Sequence, residues 1–139
     1  MKKSKLVIDY EYDFELVGVT SSAKSYKLAW EFNQGLGIHL IKQPDLVVGF
    51  KNVEKYFCYY AHETQLNRLK LFRNRPSDGE SGKYFLIPEF PHFDFIILSQ
   101  LEEHTSKHNL IALIKGITSV QLASNIPLEG LKSKSNFVF

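Results

Sequence analysis

Two prolines three residues apart, Pro88 and Pro91, interrupt the strand-like sequence from Lys83 to Leu98. Each removes a backbone donor and holds the preceding residue, Ile87 or Phe90, in extended geometry. No regular ladder passes through such a segment. Ile87-Pro88-Glu89-Phe90-Pro91-His92-Phe93-Asp94-Phe95 therefore reads as an enforced corner between a strand over Lys83 to Ile87 and a second over Phe93 to Leu98. Glu89 lies inside the corner, where a carboxylate can accept hydrogen bonds from backbone N–H groups that the kink frees.

The rest of the chain alternates between strand and helix signals. Leu6, Ile8, Tyr10, Tyr12, Phe14 and Leu16 share one parity, and Asp9, Glu11, Asp13 and Glu15 the other. That is a strand from Leu6 to Val17 with an apolar and an acidic side. Ser21 or Ser22 is placed to cap a helix from about Ala23 to Gln34, with Gly35 as its stop. Leu28, Ala29, Phe32 and Leu36 make the buried stripe of that helix, and Tyr26 and Trp30 widen it, so the helix is expected to be well buried. Four β-like runs follow, Ile38 to Ile41, Leu46 to Phe50, Lys55 to His62 and Leu66 to Arg73, with breaks short enough for hairpins. Arg75 to Gly82 is the one long polar loop. Ser99 and Glu102 have capping-box spacing for a helix from about Gln100 to Lys115, with Leu110, Leu113, Ile114 and Ile117 as its apolar face. A last strand runs from Ser119 to Ala123, ahead of Pro127 and a tail rich in lysine and serine.

The fold class expected is α+β in two layers: a mainly antiparallel sheet of six to seven strands with two principal helices on one face. The 139 residues suit a single domain spanning 1–139, and 44% hydrophobic with 23% charged residues excludes a disordered or collagen-like chain. Met1 to Lys5 is basic, but the apolar stretch after it stops at Asp9, too short for a signal peptide core. No stretch approaches the ~18 apolar residues of a membrane span. Cys58 is the only cysteine, so no disulfide forms within the chain. A cytoplasmic protein is the expectation, with no membrane partner.

No residue pattern specifies a reaction, a cofactor or a metal. The acidic side of the first strand places carboxylates ~6–7 Å apart, and a straight row at that spacing does not converge on one ion. His104 and His108 share a helix face but lack the glutamate framing and the further ligands of a zinc site. Cys58 has no cationic neighbour in sequence to activate it and reads as packing. No serine nucleophile elbow and no phosphate-binding glycine loop occurs.

Three candidate surfaces remain. The first is a protein-interaction surface at a sheet edge or the apolar C-terminal strand, including a homodimer through an exposed strand. The second is a ligand or acid–base site formed by Glu89, His92 and Asp94, since His92 and Asp94 share a face if their strand is regular. The third is a nucleic-acid surface over residues 68–75, formed by Arg68, Lys70 and Arg73 with Lys83. Strand parity separates Arg68 and Lys70 from Arg73 and Arg75, and a net charge of +2 is small for a polyanion binder, so nucleic acid is disfavoured.

Ile87-Pro88-Glu89 followed by Phe93-Asp94-Phe95 resembles the signature of the I-P-E-x-x-V-D-Y family of uncharacterised Bacteroidota proteins. Tyr10 to Leu16, Tyr26-Lys27-Leu28-Ala29-Trp30 and the closing Leu131 to Phe139 are similar to that family too, so the likeness extends over most of the chain. Here three residues separate the two halves of the motif instead of two, and phenylalanines stand for valine and tyrosine. The resemblance implies no activity and hands over no catalytic residue.

Overall fold

The computed structural model describes residues 14–65, 67–77, 84–101 and 107–137, with residue 101 and residues 107–109 described by their backbone alone. The elements run β1 (Glu15–Thr20), α1 (Ser25–Leu36), β2 (Ile41–Lys42), β3 (Leu46–Phe50), β4 (Val53–Phe57), β5 (Tyr59–Glu63), β6 (Asn67–Arg73), β7 (Phe95–Leu101), α2 (Lys107–Lys115), β8 (Leu122–Ile126) and a C-terminal 3-10 helix (Lys132–Phe137). Six strands form the main sheet in the order β2-β5-β6-β7-β1-β8, and β3 and β4 make a separate hairpin. Among the described residues every pairing is antiparallel. The chain is therefore α+β with a mainly antiparallel sheet, as its pattern of strands and helices predicts.

β7 explains why the sheet is covered on both faces. Phe95, Ile96, Ile97 and Leu98 are all buried, and alternate side chains point to opposite faces. Phe95 and Ile97 join Val17 and Val19 of β1, Leu69 and Leu71 of β6, and the inner faces of α1 and α2 in one core. Ile96 and Leu98 join Leu16, Phe72, the β3–β4 hairpin, Leu86 and Ile87, and Leu131 and Phe137 in a second core on the opposite face. A strand buried on both sides reads as a continuous apolar run rather than an alternation. The second core is closed not by a helix layer but by the hairpin, the proline corner and the C-terminal 3-10 helix.

Several element boundaries differ from the sequence expectation, each for a local reason. α1 continues through Gly35 and ends at Gly37, which takes the left-handed conformation (φ 66°) and donates its N–H to the Asn33 carbonyl at 3.1 Å. Gly35 instead packs closely on α1's neighbour: a Cβ there would lie 2.6 Å from the tip of the Ile117 side chain, which would have to shift. At the other end Ser21 does not cap the helix. Its Oγ accepts the Ala23 N–H at 3.1 Å, and Lys24 occupies the capping position without a side-chain bond. Tyr26 and Trp30 lie on the solvent side of α1, not in its buried stripe.

The run from Lys55 to His62 is two strands. The chain leaves the hairpin after Phe57 and joins the main sheet at Tyr59, whose partner is Phe72. Residues 84–87 are not a strand, because the polar groups of Leu86 and Ile87 go to Asn74, to the Asn136 side chain and to the Phe90 N–H of the following turn rather than to a ladder. Ser99 sits buried in β7 opposite Glu15 and Leu69, so strand pairing takes the residue that the spacing offered as a helix cap. β8 begins at Leu122 because residues 116–120 form successive turns, and Ser119 is held to α1. There Glu31 accepts the Ser119 N–H at 3.0 Å and its hydroxyl at 2.7 Å. The expected strand over Leu6 to Asp13, its acidic residues Asp9, Glu11 and Asp13, most of the polar loop, Lys83, Glu102 and His104 lie outside the described residues.

The proline corner as candidate functional site

Residues 87–93 make two consecutive turns. The Phe90 N–H donates to the Ile87 carbonyl at 3.1 Å, and the Phe93 N–H donates to the Phe90 carbonyl at 3.3 Å. Pro88 and Pro91 each occupy the second position of a turn, where the ring sets the required φ and no donor is needed. Ile87 and Phe93, at the outer ends, are buried in the second core. Between them Pro88, Glu89, Pro91 and His92 face solvent.

The corner is anchored from inside by Asn74, which follows β6 and is completely buried. Its side-chain amide donates to the carbonyls of Phe90 (3.2 Å) and Phe93 (2.9 Å), and its Oδ1 accepts the Ile87 N–H at 2.8 Å. Its own N–H donates to the Asp94 carbonyl at 2.9 Å, and its carbonyl accepts the Leu86 N–H at 3.0 Å. One side chain thus pairs three backbone groups, and the turns themselves give no partner to two of them, the Ile87 N–H and the Phe93 carbonyl.

Two carboxylates tie the corner outward in different directions. Glu89 accepts the N–H groups of Lys132 (2.9 Å) and Ser133 (3.2 Å) and the Ser133 hydroxyl (2.8 Å), at the start of the C-terminal 3-10 helix. Burial pushes this carboxyl up. Hydrogen bonds from the Ser133 hydroxyl, from its own backbone N–H and from the N–H groups of Ser133 and Lys132 outweigh that and hold it below the ordinary value. Asn136 adds a second tie, donating to the Leu86 carbonyl at 3.0 Å, and Phe137 packs edge-on against Phe72. Asp94 instead accepts the Arg75 guanidinium and the Ser21 N–H, each at 2.9 Å, while its N–H donates to the Val19 carbonyl. Arg75 also lies over the Phe85 ring.

Glu89, His92 and Asp94 are therefore not brought together. Glu89 holds the C-terminal segment, Asp94 holds the link between β1 and α1, and His92 is exposed with its ring against Phe93, 4.2 Å between centroids. The basic residues are also divided. Arg68 and Lys70 lie on the second-core face of β6, Lys70 within 3.7 Å of Glu63, and Arg73 lies on the other face. Cys58 marks the passage from β4 to β5, and burial raises its thiol above the ordinary value, with Lys42 opposing. Among the described residues no three metal-ligating side chains converge. A shallow depression of about 260 Å³ lies between the start of β1 and the end of β8, lined by Phe14, Glu15, Asn125 and Leu128 among others.

Sequence reasoning missed the two residues that hold the corner. Asn74 carries no motif, and Ser133 lies 44 residues from the carboxylate it serves. It also missed the exposed aromatic pair on α1. Tyr26 and Trp30 are 66% and 60% exposed, one helical turn apart. Lys24 and Lys27 beside them are exposed as well. Among the described residues no helix is long and apolar enough to cross a membrane. No known family model matches the chain, and a search of curated proteins finds no match.

Proposed function

We propose that this chain is a non-enzymatic protein-interaction module of the cytoplasm, and a distant member of the I-P-E-x-x-V-D-Y family. The supporting observation is the exposed Tyr26–Trp30 pair. Isolated exposed apolar residues are ordinary, but two large aromatics side by side on a helix form a patch. Tyrosine and tryptophan are the side chains most often found as anchors at the centre of protein interfaces. Lys24 and Lys27 border the patch, Lys27 at 3.9 Å from Glu31, and Lys24 suits a partner with a carboxylate beside an apolar cleft. The corner, by contrast, uses its polar groups to hold the chain together, which favours a structural role for the motif over a chemical one.

The test is affinity capture from native lysate with the wild-type chain beside Tyr26→Ala/Trp30→Ala. Both side chains are exposed, so circular dichroism should show the variant folded. Specific partners retained by the wild type and lost by the variant support the assignment. Identical capture by the two proteins removes α1 as the interface.

A further inference from the structure

β8 is an edge of the main sheet: β1 lies on one side, and among the described residues no strand pairs with the other. An edge strand presents a row of backbone N–H and C=O groups that can template another strand. Edges are usually blunted by shortness, charge, proline or a bulge. The opposite edge follows that rule. β2 has only two residues, Ile41 and Lys42, with Pro44 just beyond, and Lys42 lies 3.5 Å from Asp45. β8 is less protected: Pro127 follows Ile126 directly, but nothing within the strand blunts it. Its five residues, Leu122-Ala123-Ser124-Asn125-Ile126, carry no charge and no proline, and they pair with β1 in unbroken register. Leu122 is 52% exposed, and so is Leu113 of α2, the helix packed against β8.

We infer that β8 pairs antiparallel with β8 of a second copy of this chain, about a two-fold axis through Ser124. This surface is separate from Tyr26 and Trp30, and the inference does not rest on their role. A second copy is favoured because the edge is complementary to itself. The two-fold places Leu122 opposite Ile126 of the partner subunit, Ala123 opposite Asn125 of the partner subunit, and the two Ser124 residues opposite each other. No like charges meet, and the half-exposed Leu122 gains an apolar neighbour. Directly paired residues share a face, and Ala123 points into the helix-side core while Ile126 points into the second core. The register therefore keeps both helix layers on one side, continues both sheets as one, and brings the two α2 helices with their exposed Leu113 side chains to the same face. The interface is isologous and closes on itself. A five-residue ladder is a small contact, so association is concentration-dependent.

Light scattering over a concentration series tests this. The wild type should move from 16.0 kDa when dilute toward twice that mass. Ser124 is exposed, so Ser124→Lys and Ser124→Glu leave the monomer's core untouched. Each sets like charges against each other at the axis and should weaken dimerisation by about tenfold, whereas an equimolar mixture of the two variants should restore it. Tyr26→Ala/Trp30→Ala should dimerise as the wild type does. A wild type that stays monomeric throughout, charge variants that dimerise normally, or a mixture that gains nothing would each overturn the pairing. Loss of the dimer in the α1 variant would overturn it too, by moving the interface to that helix.

Discussion

Glu89 grips Ser133 with both carboxylate oxygens, one taking the hydroxyl at 2.8 Å and the other the backbone N–H at 3.2 Å. With the Lys132 N–H on the same carboxylate, the start of the 3-10 helix has its free donors satisfied by a residue from the corner. Leu131 and Phe137, at either end of that helix segment, are buried in the second core. The corner and the C-terminal segment thus form one clasp over the sheet, which gives a physical reason for Ile87-Pro88-Glu89 and the closing Leu131 to Phe137 to occur in the same chain.

Glu89→Ala should release the clasp without unfolding the sheet. Losing a cap of this kind costs about 1–2 kcal/mol. Amide exchange over residues 132–137 should accelerate more than exchange in β6 and β7. Uniform acceleration across the chain would show that the clasp and the sheet open together.

The same carboxylate makes stability depend on pH. The Glu89 carboxyl is held below its ordinary value of 4.5 in the folded chain, so the folded state binds its proton less readily than the unfolded state does. Its contribution is therefore fully present above about pH 4.5 and is lost as pH falls through the lower folded value. Urea midpoints for wild type and Glu89→Gln should differ at pH 7 and converge in acid. A constant difference down to low pH would assign the effect to packing and not to charge.

Asn74 should be the least replaceable polar residue of the corner. Asn74→Ala leaves the buried Ile87 N–H and Phe93 carbonyl without their partner, while the Phe90 carbonyl keeps the Phe93 N–H. Each stranded group costs about 1–3 kcal/mol, so the two together should put the loss at about 2–6 kcal/mol. Asn74→Asp should be no better, because a carboxylate cannot donate to two carbonyls. Urea denaturation checks both. A loss under ~1 kcal/mol for Asn74→Ala would mean that water enters and replaces the amide.

What the sequence revealed, and what it hid, divides by distance along the chain. β7 was legible because burial on both faces leaves an unbroken apolar run, and the corner because proline acts on its own neighbours. The partners of the corner were not legible. Asn74 is an ordinary polar residue after a strand, and only folding places it under residues 87–93; Glu89 meets Ser133 from 44 positions away. Tyr26 and Trp30 were misplaced because a helical period tells which residues share a face, not which side the sheet occupies. Cys58 hid a change of sheet for a similar reason: apolar residues continue across it, and a switch between two sheets leaves no mark in composition.

Gly18 and Phe93 should show strong coupling. Gly18 lies in β1 opposite Ile96, and a Cβ there would fall 2.2 Å from the Phe93 ring. The ring lies directly over the strand in space that only glycine leaves open. Gly18→Ala must displace either the ring or the backbone of a central strand, at a cost of about 1–3 kcal/mol. Phe93→Leu alone should also destabilise, by removing a buried aromatic ring from the second core. In the double variant a smaller side chain above the new methyl relieves the clash, so the combined loss should fall below the sum of the two single losses by about 1 kcal/mol or more. A double-mutant cycle from urea midpoints measures this directly. Simple additivity would mean that the ring moves aside freely, and that the corner is not seated on β1 through this contact.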